Sequence, residues 1–106
     1  MENGIYHEAQ TYFEKAYAYY ESTPEKKRNV ATLCMIYTNL AMCYMLRGVL
    51  EKTESYIEKL QKECEPFFEN VDYIYVDCMK ARYYHAIQDT EKTNECIEDI
   101  RIRIRK

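Results

Sequence analysis

Apolar positions recur three and four residues apart through nearly the whole chain, and the interruptions between these runs predict five helices. The first covers about residues 5–21 and carries Ile5, Tyr6, Ala9, Tyr12, Phe13, Ala16, Tyr17, Tyr19 and Tyr20. It stops at Ser22-Thr23-Pro24-Glu25, which reads as a fresh start signal. Either Ser22 caps with Glu25, or Thr23 caps with Pro24 at the first helical position. A second helix over about 25–47 ends at Gly48, and a third over about 49–64 ends near Glu65-Pro66. Asn70 is expected to cap a fourth, over about 71–87. Gln88 to Glu91 closes that helix and caps a fifth, over about 90–105. The tail from Arg101 to Lys106 alternates like a strand, but Ile97, Ile100 and Ile104 keep a helical spacing, so helix with a frayed end is expected.

The width of each apolar face says how many neighbours a helix needs. At 100° per residue, the apolar residues of the first helix span an arc of roughly 160°, against the ~100° that one partner requires. Cys96, Ile97, Ile100 and Ile104 of the fifth span only roughly 100°, as a terminal cap would. The first helix therefore calls for a further cover, from missing sequence or from a second copy gripping Tyr6, Tyr12, Phe13, Tyr17 and Tyr20. Residues 30–46 hold no charge at all. A helix of that length falls just short of a ~30 Å hydrocarbon core, and Thr32, Thr38 and Asn39 interrupt it. A central helix walled by protein on both sides fits better than a membrane span.

A repeat runs through this pattern. Glu51-Lys52-Thr53 returns as Glu91-Lys92-Thr93 and Ile57-Glu58 as Ile97-Glu98, while Ala41 meets Ala81 and Tyr44 meets Tyr84, all forty residues on. Two helices per period point to hairpins that each bury an apolar face on the next. The positions Tyr37, Leu40, Ala41, Tyr44, Gly48, Thr53, Ile57 and Leu60 resemble the tetratricopeptide repeat family. Asp77, Lys80, Ala81, Tyr84, Thr93, Ile97 and Ile100 follow in the next unit, which lacks the first aromatic, the Leu and the Gly. Gly4, Ala9, Phe13 and Ala16 look like the second helix of an earlier unit. The resemblance implies an all-α fold, a right-handed solenoid of antiparallel hairpins, with residues 1–106 forming one domain cut from a longer protein.

Composition narrows the chemistry. A formal net charge of -3 with interspersed signs supplies no cationic surface for nucleic acid. Five scattered cysteines without a CxxC pair, and a polar start with no leader pattern, suit a reducing cytoplasm. No Gly-rich phosphate loop, GxSxG or HExxH motif is present, so no enzyme and no cofactor or metal is expected. Cys78 and His85 share a helix face, but two ligands are too few for structural zinc.

The resemblance places the first helices of successive pairs along a concave groove. It would be lined by Met35, Thr38, Asn39, Met42 and Met45, then by Tyr75, Met79, Arg82 and His85. Methionine adapts to irregular partners, Asn39 offers a donor and an acceptor, and Arg82 can fork onto a carboxylate. The function expected is a protein or peptide interaction module of a regulatory protein, of a kind seen in bacterial regulators. The alternative is a dimerisation or spacer segment with no ligand of its own.

Overall fold

The computed structural model describes residues 2–105, which form five α-helices and two 3-10 turns with no strand among the described residues. The helices are α1 (Glu2–Ser22), α2 (Val30–Leu46), α3 (Leu50–Cys64), α4 (Asn70–Ala86) and α5 (Thr90–Ile104). No helix among these residues is long and apolar enough to cross a membrane. The chain divides into two compact units, Met1–Pro66 and Phe67–Lys106. In the first, α2 packs against both α1 and α3; in the second, α4 packs against α5.

The uncharged stretch is α2 itself, with a protein neighbour on two sides as its composition demands. Ile36, Tyr37, Leu40 and Ala41 are buried almost completely, together with Thr53, Leu60 and Cys64 of α3. In the second unit the interior is thinner. It is made of Val76, Met79 and Tyr83 from α4 and Cys96 from α5.

The forty-residue repeat appears as one turn made twice. After α2, the Gly48 amide donates to the Met45 carbonyl (3.0 Å) and the Val49 amide to Tyr44 (2.8 Å). After α4, the Gln88 amide donates to His85 (3.0 Å) and the Asp89 amide to Tyr84 (2.9 Å). The next helix then opens alike in both, with Thr53 Oγ1 donating to the Val49 carbonyl and Thr93 Oγ1 to that of Asp89. Both turns need a left-handed residue, Gly48 at φ 79° and Gln88 at φ 62°. The second unit therefore keeps the turn without its glycine, at the steric cost a Cβ incurs there. Gln88→Gly is expected to stabilise the second unit by about 1 kcal/mol. Urea unfolding of the two chains measures it, and a change below about 0.3 kcal/mol would mean the turn is not strained.

Two helix starts differ from the sequence expectation. The second helix begins at Val30, not Glu25, because a start at Glu25 would put Lys26, Lys27 and Arg28 at the positive end of the helix dipole. Glu25–Lys27 instead forms a 3-10 turn, and Asn29 caps α2 by accepting from the Ala31 amide at 2.8 Å. Ser22 and Thr23 turn backward, each hydroxyl donating to the Tyr19 carbonyl at the end of α1. Arg28 reinforces that end, its guanidinium donating to the carbonyls of Glu21 and Thr23.

Asn70 is the first residue of α4 rather than its cap, and Asp72 accepts from the preceding Glu69 amide at 2.9 Å. This frees the Asn70 amide to donate to the Arg103 carbonyl (3.1 Å) and accept from its guanidinium (3.3 Å). Arg103 also lies 4.0 Å above the Tyr73 ring and 3.6 Å from the Asp77 carboxylate. The end of α5 is thus tied to α4 by a charged side chain. The inward face of α5 is Thr93, Cys96, Ile100 and Arg103, whereas Ile97 and Ile104 point outward.

Candidate functional site

One opening in the first unit lies between α1 and α2. Phe13, Ala16, Tyr17 and Tyr20 of α1 settle on Ile36, Leu40 and Tyr44 of α2. Ala16 is too small to fill the space between its aromatic neighbours, and a groove of about 350 Å³ remains. Its floor and walls include Phe13, Tyr19, Tyr20, Met35 and Ile36. At one end stand Lys27 and Arg28 from the link between the helices, where the Arg28 guanidinium lies 5.6 Å above the Tyr20 ring. The arrangement can take an apolar side chain and favours an anion beside it.

Two polar ties hold the groove's walls in register. In one, Tyr44 donates to Glu14 Oε1 (2.7 Å), and Gln10 Nε2 donates to both Glu14 Oε1 (2.7 Å) and the Tyr44 hydroxyl (3.1 Å). Arg47 Nη1 completes it by donating to Gln10 Oε1. The hydrogen bonds from Tyr44 and Gln10 hold the Glu14 carboxyl below its ordinary value of 4.5. In the other tie, Tyr37 donates to Glu63 Oε2 (2.9 Å) with the Tyr17 hydroxyl 3.3 Å away, linking α1, α2 and α3. Burial, ahead of these contacts, raises the Tyr37 phenol far above its usual value. Lys59 lies over the Tyr17 and Tyr56 rings at 5.8 and 5.2 Å.

The residues expected to line a groove scatter more than the repeat suggested. On α2, Met35 is exposed and borders the opening toward α1, a different place from the groove expected along α2 and α4, while Thr38, Asn39, Met42 and Met45 are half-buried. Asn39 gives its amide donor to the Met35 carbonyl one turn back (2.8 Å), so that donor serves its own helix. On α4, Tyr75, Arg82 and His85 are exposed, but Met79 is only 3% exposed. Met79 is buried with Val76 and Tyr83, so it is a core residue of the second unit and not the groove residue expected. The two sets belong to different compact units, on α2 and on α4.

The aromatic face of α1 divides in the same way. Phe13, Tyr17 and Tyr20 are partly buried against α2, and Tyr6 is half-buried. Tyr12 remains outward at 63% exposed, with Ile5 at 65% and Tyr19 at 77%. Sequence reasoning missed Lys27 and Arg28 as groove residues and Gln10 as a buried one. The small Ala16 between Phe13 and Tyr20 was the available signal for the first, and nothing local marked the second.

None of the five cysteines forms a disulfide. Burial raises the thiols of Cys43, Cys64 and Cys96, which favours the protonated and unreactive form. Cys78 and His85 are both exposed on α4, and the described residues include no group of three side chains able to hold a metal ion. Comparison with known proteins finds no matching family model, no matching curated protein and no matching solved structure.

Proposed function

We propose that this chain is a tetratricopeptide-like interaction module that takes a peptide or helix of a partner protein and carries out no reaction of its own. The observation that carries this is the groove between α1 and α2, apolar along its walls and cationic at one end. A ligand's large apolar side chain would enter beside Ala16 and Met35, with a carboxylate turned toward Lys27 and Arg28. The rest of the ligand would run along the uncharged outer face of α2, over Thr38, Met42 and Met45. Support for a repeated hairpin comes from the same hydrogen-bond pattern in the turns after α2 and α4.

Peptides selected from a displayed random library against the whole chain supply the probe. A selected peptide is expected to shift the amide resonances of α1 and α2 around Ala16 and Met35. Met35→Glu is expected to weaken it at least about tenfold, since it places a charge in the apolar wall. Ile104→Glu, at an outward position on α5, is expected to leave affinity unchanged. A library that yields no binder, or binders indifferent to Met35→Glu, removes the proposal.

A further inference from the structure

We infer that the outward stripe of α1 is a homodimer contact in which two copies of α1 pair antiparallel about a two-fold axis at Tyr12. Ile5, Tyr12 and Tyr19 are spaced seven apart, two helical turns, so they line one face with only a slow drift. Each exposes more than three-fifths of its surface, a run of large apolar groups that a soluble surface seldom leaves open. Ala9 and Ala16 lie beside the stripe on its inner flank, small enough to let a second helix approach.

Charge selects the occupant and its direction. On the outer flank, Glu8 and Lys15 are the exposed residues next to the stripe. They stand seven residues apart, ~10 Å along the axis, which is too far to pair with each other on the same helix. When two identical helices pair antiparallel, the same flank of each meets. An axis through Tyr12 then sets Tyr12 on Tyr12, and Ile5 against the second copy's Tyr19 at both ends. It also brings Glu8 beside the second copy's Lys15, and Lys15 beside the second copy's Glu8. In a parallel pair this charged flank would face the alanine flank and neither ion pair would form. The surface is therefore complementary to itself in one orientation, as an isologous interface requires.

This contact does not depend on the peptide reading. Tyr19 and Ala16 border both surfaces, so the dimer is measured without peptide and through Tyr12, which does not line the groove. Sedimentation of the whole chain across the micromolar range is expected to show a reversible monomer–dimer equilibrium. Tyr12→Glu sets two like charges on the axis and is expected to weaken the dimer at least about 50-fold. Glu8→Lys is expected to weaken it about fivefold by making both cross-pairs repulsive. Adding Lys15→Glu to Glu8→Lys is expected to return the constant to within about threefold of the parent. All these positions are exposed, so an unchanged helical circular dichroism spectrum, recorded at a concentration below the dimer range, confirms that the variants fold. A chain that stays monomeric, a dimer untouched by Tyr12→Glu, or charge reversals that fail to compensate each overturns the inference.

Discussion

Leu40→Ala is expected to destabilise the chain by about 3–4 kcal/mol. Leu40 is wholly buried in a cluster with Ile36 and Tyr44, against which Phe13, Ala16, Tyr17 and Tyr20 of α1 and Tyr56 of α3 pack. Three helices meet at this cluster, so none can move inward to close the cavity without losing its other contacts. Such a loss is a large part of the ~5–15 kcal/mol that holds a typical domain together. Chemical denaturation measures it, with Leu46→Ala as the comparison. Leu46 is 48% exposed at the end of α2, and its truncation should cost less than about 1 kcal/mol. Equal losses at the two positions would mean that α1 does not seat on α2 as described.

Tyr44→Phe is expected to cost about 1.5–2 kcal/mol at neutral pH, through a hydroxyl rather than a cavity. The ring stays stacked on Tyr56, whose centroid lies 5.8 Å away at an interplanar angle of 10°. What is lost is the donor to Glu14 and the acceptor for the buried Gln10. Glu14 adds a pH signature. Its carboxyl is depressed in the folded chain, so its contribution is fully present above the unfolded value of 4.5. That contribution fades as pH falls through the lower folded value. The difference between Tyr44→Phe and the parent should therefore narrow in acid, because a protonated Glu14 no longer takes a charge-assisted bond. Thermal melts at neutral pH and in acid check this, and a pH-independent difference would remove Glu14 from the account.

Some elements were legible because their causes lie within a few residues. Gly48 and the Gln88-Asp89 pair end and begin helices by local backbone chemistry, and both turns fall where the forty-residue offset put them. The start of α2 was misplaced for a reason that is also local. Ser22, Thr23 and Asn29 can all cap, and three successive cations disfavour the earlier choice. Met79, Ile97 and Ile104 were misjudged for a different reason. Each lies at the edge of an apolar stripe, where one neighbour's position decides between core and surface. Gln10 was invisible altogether, since its partners Tyr44 and Arg47 stand 34 and 37 residues away.

By itself the amino-acid order determined five helices, the uncharged helix at the centre of the first three and the twice-used turn. These follow from a 3.6-residue period and from capping, which act over one or two turns of chain. Only the tertiary structure decided which part of the broad α1 face is covered. Phe13, Tyr17 and Tyr20 go to α2, while Ile5, Tyr12 and Tyr19 are left outward. Periodicity gives each side chain an angle on its helix, but burial depends on where another helix comes to rest against that angle. That position is set by contacts twenty to forty residues apart, such as Tyr17 with Tyr37 and Gln10 with Arg47.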